Sequence, residues 1–326
     1  MKLARIVAIT VLLSLLTGAG GCDRDSGQSN KPQPSSQSKS STGGTIGVSV
    51  LTMTNPFFKE IAETITSEAK KNGMDVIVVS GEFDPSRQYG QVKEFLVKKV
   101  SAIVLTPCDS KAVGAAIKEA NAAGIPVFTA DIACVDPDAK VVCHVATDNY
   151  SGGREAAKAM MKGLSNKGKV AIIDHPVVES VMMRTKGFRD ELAAAKSPIQ
   201  VVGAYPGKGS KDESFKVTQD ILTANKDLAG IFAINDPSAL GAYAAIEKNG
   251  LAGKVLIVGF DGQLEGKQAI RDGRVYADPI QFPDQIGRET VSAIVKYTSG
   301  ERVPPQVLIP TQLYFKEDAA KDPSLK

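Results

Sequence analysis

The sequence predicts an α/β protein of two doubly wound, parallel-sheet lobes, joined by a three-crossing hinge with a ligand cleft between them. Three observations lead there. Apolar, β-branched runs alternate with helix-period segments from Thr45 onward. The alternation runs through two cycles that part near Asp148. The elements after Tyr276 fit best back on the first cycle, so the chain leaves a lobe and returns, which is the build of a hinge. At 326 residues the chain is long enough for two domains.

The first apolar run, Ile46, Val48, Val50 and Leu51, reads as a buried strand. A turn follows, then a helix opening at Asn55-Pro56. Asn suits the N-cap, where its oxygen accepts from first-turn amides, and Pro suits the first helical position. Phe58, Ile61, Ala62, Ile65 and Ala69 then recur on one helical face. Phe57 and Phe58 thus stand with a polar cap at the carboxyl end of a strand, the edge where open α/β sheets bind ligands. Packing in the core is the other reading of both rings.

Further first-cycle strands are expected over residues 75–80, 102–106, 126–130 and 141–145, with helices over 56–72, 85–99 and 110–123. Gly73 and Gly124 follow helices, as C′ glycines do. In the second cycle, helices over 150–164, 181–195, 212–225 and 237–249 lead to strands over 169–173, 200–204, 229–234 and 255–259. A strand after Tyr276, a helix over 284–298 and a strand near 306–309 complete the pattern. Only the element order recurs between the cycles; there is no close sequence repeat.

Lys2 and Arg5 precede an apolar run over residues 6–16, then Gly18, Ala19, Gly20, Gly21 and Cys22. This is a charged n-region, an apolar h-region and a small-residue cleavage site. The Cys after small residues resembles the bacterial lipobox, with Ala19 where Leu is more usual. Residues 1–22 are therefore expected to be a lipoprotein signal peptide with Cys22 lipidated. Residues 23–44, rich in Ser, Gln, Pro, Lys and Gly, read as a flexible tether. The protein is expected to be exported, lipid-anchored in the periplasm or on the outer face of the cytoplasmic membrane. An oxidising compartment permits disulfides. Cys134 and Cys143 flank the polar Asp136-Pro137-Asp138 turn and are the expected pair, leaving Cys108 free.

The formal net charge is +3, from 39 basic and 36 acidic residues, and no basic patch with interleaved aromatics stands out. Nucleic acid is therefore not an expected partner. No zinc spacing is present, and no metal or cofactor is expected. The Gly203–Ser210 stretch is one residue short of a phosphate loop, and Gly-x-Gly-x-x-Gly after the first strand, Gly-x-Ser-x-Gly and His-Glu-x-x-His are absent. No catalytic residue is assigned, and the expectation is a protein that is not an enzyme.

The informative pattern is what ends each strand. The run Pro126 to Ala130 ends in Asp131, the run to Ile234 in Asn235-Asp236, and the run to Phe260 in Asp261-Gly262. Asn55 follows the first strand, Arg184 lies after Ile173, and Gln281 sits at an expected crossing. Carboxylates, amides and a guanidinium take adjacent hydroxyls as fork-shaped pairs, and aromatic faces cover the C–H side of a sugar ring. Each polar residue alone also reads as a cap or turn residue. Together the six match a polyhydroxylated ring.

Six motifs in combination carry a family resemblance. They are Thr54-Asn55-Pro56-Phe57-Phe58, Thr106-Pro107-Cys108-Asp109-Ser110-Lys111-Ala112-Val113, Ala146-Thr147-Asp148-Asn149, Asn235-Asp236, Val258-Gly259-Phe260-Asp261-Gly262 and Pro283-Asp284-Gln285-Ile286-Gly287. The chain resembles the periplasmic sugar-binding proteins of ABC transporters, nearest the ribose-binding type, from Thr45 to the C-terminal region. The resemblance implies the type I periplasmic binding fold, with residues 45–147 plus 282–310 as the N-terminal lobe and 148–281 plus 311–326 as the C-terminal lobe. It implies sugar contacts from Asn55, Phe57, Phe58, Asp131, Arg184, Asn235, Asp261 and Gln281. It also implies closure on one monosaccharide and delivery to an ABC permease with its ATPase, by a monomer. The alternatives are a sugar-sensing receptor read by a chemoreceptor or histidine kinase, and an enzyme acting on the bound sugar.

Two positions depart from the ribose-binding pattern. Ile132 stands where an Arg follows the Asp, and Gly209 stands where the pattern has a Phe. Losing a guanidinium fork and a stacking ring points to a monosaccharide other than ribose, unless Lys208, His175 or Glu179 fills the gap.

Overall fold

A computed structural model describes residues 43–326. The signal peptide, Cys22 and nearly all of the tether lie outside the described residues.

The first sheet grows around β1 (Thr45–Val50), whose last five residues are buried. The chain continues through α1 (Pro56–Lys71), β2 (Asp75–Ser80), α2 (Pro85–Val97), β3 (Ala102–Leu105), α3 (Val113–Ala122), β4 (Val127–Ala130) and β5 (Cys143–Thr147). It then enters α4 (Asn149–Gly163), β6 (Lys169–Asp174), α5 (Glu179–Ala194), β7 (Gln200–Pro206), α6 (Lys211–Ala224), β8 (Leu228–Ala233) and α7 (Asp236–Lys248). The rest is β9 (Leu256–Val258), α8 (Leu264–Arg271), β10 (Ala277–Ile280), α9 (Pro283–Thr298), β11 (Gln306–Ile309), β12 (Gln312–Phe315) and α10 (Lys316–Ala319).

Two six-stranded sheets result, in the orders β11-β5-β4-β3-β1-β2 and β12-β10-β9-β8-β6-β7. Every pairing is parallel except β10 with β12. Parallel strands buried on both faces need apolar residues at nearly every position, which explains the unbroken runs Ala102–Leu105 and Val127–Ala130. The chain passes between the sheets three times: from Thr147 into α4, from Ile280 into α9, and from Ile309 through Pro310-Thr311 to Gln312.

Three elements, α8, β12 and the four-residue α10, and one bond differ from the sequence expectations. The helix α8 is only 8 residues long, and its first turn carries Glu265 and no capping side chain, so no start signal marks it. The antiparallel β12 follows from the two-residue crossing, which reverses the chain onto β10. The expected Cys134–Cys143 disulfide is not formed: Cys108, Cys134 and Cys143 are free thiols. Cys143 is fully buried in the core on the α1 and α9 side, whereas Cys134 packs with Val113, Ile117 and the residues of the α2–α3 side. The sheet stands between them, so flanking one turn does not bring their sulfurs together.

Candidate functional site

The carboxyl ends of both sheets face one cleft, with about 420 Å³ of empty space. Asn55, Phe57, Phe58, Asp131, Arg184, Asn235, Asp261 and Gln281 all line it. The first four come with the first sheet and the others with the second, so the cleft lies between the lobes.

Local chemistry sets each side chain. Asn55 caps α1, its Oδ1 accepting from Phe57 N at 3.0 Å, which leaves its amide group for another partner. Phe57 and Phe58 meet edge to face at 5.4 Å and are both buried against the core, so ring wall and core packing are here the same thing. Asn235 is committed: its Oδ1 caps α7 through Ser238 N at 2.9 Å, and its Nδ2 donates to Gly209 O at 3.1 Å. Gly209 has φ +64°, and a Cβ there would press on Asn235 Nδ2 at 3.2 Å. The loop after β7 thus needs Gly209 for its backbone, which is a structural reason for a residue without a ring.

Arg184 is the centre of the polar wall. Its Nε donates to Asn149 Oδ1 at 2.7 Å, and its Nη1 donates to Ile234 O at 2.7 Å and Asp261 Oδ1 at 3.2 Å. The guanidinium lies 3.9 Å from the centroid of Phe260. Gln281 Nε2 also donates to Asp261 Oδ1, at 2.6 Å. Asp131 and Asp261 both have positive φ, +66° and +101°, conformations that are uncommon outside glycine and that aim each carboxylate into the cleft.

Two buried acceptors in this wall have no partner: Asp131 Oδ1 and Gln281 Oε1. Burial pushes the Asp131 carboxyl up to about 7; Arg184 pulls it down, while Asp261 and Glu179 push it further up. Burial likewise raises Asp261, against Arg184 and Gln281. Such groups demand donors, and sugar hydroxyls supply them. Leu51, Ile132, Val178 and Val181 give the cleft its apolar lining. His175 also lines the cleft, and burial lowers its pKa, favouring the neutral ring; Lys208 and Glu179 are not among the lining residues.

The sequence marks Ser110 as the start of a helix and as part of the Thr106–Val113 motif, with no role across the cleft. It sits in the loop before α3 and reaches across the cleft: its N donates to Val177 O at 2.9 Å, and its Oγ accepts from Glu179 N at 2.8 Å. Phe83, between β2 and α2, lines the cleft too. A large ring in a Gly-Glu-Phe-Asp-Pro turn was the available signal.

A family model described as a periplasmic binding protein domain matches residues 46–302. The chain is 34% identical to the ribose import binding protein of Bacillus subtilis over 314 residues, 96% of this chain and 99% of the relative. It is 31% identical to the D-apiose import binding protein of Paraburkholderia graminis, over 82% of this chain and 86% of the relative. Among solved structures, an ABC transporter periplasmic solute binding protein from Actinobacillus succinogenes with bound D-allose superposes with a TM-score of 0.79 at 29% identity, over 86% of this chain and 100% of that one. An ABC transporter solute binding protein from Agrobacterium vitis with bound D-fucose gives 0.80 at 31% identity, over 86% and 98%.

Proposed function

The chain belongs to the periplasmic binding protein domain family, and from that premise we propose how it works as the substrate-binding protein of a sugar ABC importer. It captures one monosaccharide between its lobes and delivers it in the closed form to a membrane permease, whose ATPase drives uptake. The observation that carries this reading is the convergence of eight side chains from both sheets on one cleft that holds two buried, unpartnered acceptors. Asp131, Asp261 and Gln281 take the sugar hydroxyls, the free amide of Asn55 donates, and Phe57 and Phe58 cover the C–H face. Arg184 holds Asp261 in place and neutralises it. Relatives for ribose, D-apiose, D-allose and D-fucose support a pentose or hexose as cargo.

The protein works as a monomer tethered through a lipid on Cys22, which keeps it near the permease. Among the described residues no helix is long and apolar enough to cross a membrane. A thermal-shift screen of pentoses, hexoses and cyclitols tests the reading, because a ligand at 100 times its Kd adds about 2.7 kcal/mol of stability. A screen in which no sugar shifts the melting temperature would defeat it.

A further inference from the structure

Behind the cleft wall lies a second pair of carboxylates that the sugar does not reach. Asp236 is the first residue of α7, and Asp278 lies inside β10; they are 3% and 0% exposed. They lie close enough for the Asp278 charge to raise the Asp236 carboxyl. Asp236 Oδ1 and both oxygens of Asp278 have no hydrogen-bond partner among the described residues. Two acceptor-only groups cannot face each other in a buried site as a double anion; a single proton between them turns the contact into an O–H···O⁻ bond.

The pair grips the segment that carries Asp261. Asp236 Oδ2 accepts from Gln263 N at 2.6 Å. A Cβ at Gly259 would collide with Asp278 Oδ1, and one at Gly266 with the Asp236 carboxylate, so the chain runs against both acids on either side of Asp261. Asp261 itself holds a strained φ of +101° and accepts from Arg184 and Gln281. The β10 backbone holds that segment on one side, through Asp261 N to Pro279 O at 3.2 Å and Gln281 N to Asp261 O at 2.8 Å, and the two acids abut it at Gly259, Gln263 and Gly266.

We propose that Asp236 and Asp278 share one proton and that, through it, they position the Gly259–Gly266 segment so that Asp261 faces the sugar. They are positioning residues for the cleft, and this role rests on the reading of the cleft as a sugar site. The charged groups acting on the pair are Asp261, from the loop after β9, and Arg184 of α5 beyond it. On the α8 and β12 side, Tyr314 pairs opposite Asp278 in the strand register, and Lys267 is engaged with Asp322. Among the described residues no cation pairs with either acid, so a second negative charge has no local counterweight there. Burial and the neighbouring acids raise the carboxyls of both residues, in keeping with a retained proton. At alkaline pH the proton leaves, the pair repels, and the Asp261 loop loses its grip.

The test compares wild type with Asp278→Asn and Asp278→Ala. The amide of Asp278→Asn donates to Asp236 at every pH and needs no proton. In an Asp131→Asn background, which removes the other carboxyl raised to about 7, infrared spectra of aspartate-labelled protein should show a carboxylic-acid band near neutral pH that Asp278→Asn removes. The Gln263 amide resonance should move on alkaline titration in wild type and stay put in Asp278→Asn. Calorimetry with D-ribose, D-allose and D-fucose, each across pH, should show affinity falling on the alkaline side in wild type and level in Asp278→Asn. Asp278→Ala should weaken the best of these sugars about ten-fold at neutral pH, with Asp278→Asn restoring it. An unchanged acid band in Asp278→Asn, or a Gln263 resonance that titrates alike in both proteins, would overturn the proposal. These two measurements need no sugar and no alanine variant. They decide it even if none of the three sugars binds, an outcome that would count against the cleft reading alone.

Discussion

Ser110 of one lobe caps a helix of the other: its Oγ accepts from Glu179 N at 2.8 Å, at the first residue of α5. The N-cap position of that helix is Val178, which has no side-chain oxygen to offer. The cap therefore exists only while the lobes are together. Ser110→Ala should weaken sugar affinity about five-fold, the worth of about 1 kcal/mol of capping, though Ser110 does not line the sugar cleft. Calorimetry measures it. Unchanged affinity would mean that the cap contributes nothing to closure.

Asp131→Ala should cost binding and spare the fold. Its Oδ1 has no partner among the described residues, so its loss removes an acceptor that a ligand would satisfy. Loss of charged hydrogen bonds of this kind weakens binding by about 1.5–3 kcal/mol, and the empty protein should melt no lower than wild type. Calorimetry and thermal melts, run on the same preparation, separate the two effects.

The same group sets a pH dependence. Burial pushes the Asp131 carboxyl up to about 7, from an ordinary value of 3.8. The folded state then holds more protons than the unfolded state between those limits, so Asp131's contribution to stability is greatest in acid and is lost as pH rises toward 7. Hydroxyl donors favour the ionised form. Affinity should therefore rise with pH up to about 7, and Asp131→Asn should flatten that limb.

Arg184→Ala should be the most damaging single change in the cleft. The side chain is 4% exposed and its partner Asp261 3%. Removing it strands a buried carboxylate and two further acceptors, at a cost of about 3–5 kcal/mol. Urea unfolding reads this directly. A loss under 1 kcal/mol would show that water replaces the guanidinium.

Ribose should bind weakly and another monosaccharide tightly. Ile132 is 1% exposed and presents an aliphatic chain to the cleft, and Gly209 adds no ring. A hydroxyl facing Ile132 goes unpaired, at about 1–3 kcal/mol. A sugar with an extra carbon, or one lacking that hydroxyl, fits better. Competitive titration of ribose against hexoses and deoxy-sugars decides it; submicromolar ribose binding that no hexose displaces would contradict the argument.

Much of the site was legible because strand ends are legible. Asn55-Pro56, Asn235-Asp236 and Asp261-Gly262 each follow an apolar run, and parallel topology puts all such ends on one edge. What escaped were features set across space. Asp278 falls in the strand expected after Tyr276, but nothing in Ala-Asp-Pro-Ile marks its carboxylate as fully buried. Ser110 resembles any cap residue until the second lobe supplies the helix. The cysteines misled for the converse reason: nearness in sequence says nothing about which face of a sheet a side chain takes.

The third crossing limits how the molecule can move. Ile309 ends a strand in one sheet and Gln312 begins a strand in the other, and three Cα steps span at most about 11 Å. Both strands are edge strands, with β2 and β7 at the far edges. The strap acts as a fulcrum at one side of the cleft. Any opening is a swing whose amplitude grows toward β2 and β7, so Phe83 and Gly209, which follow those strands, travel farthest. A spectroscopic label near either residue would report opening with the greatest leverage.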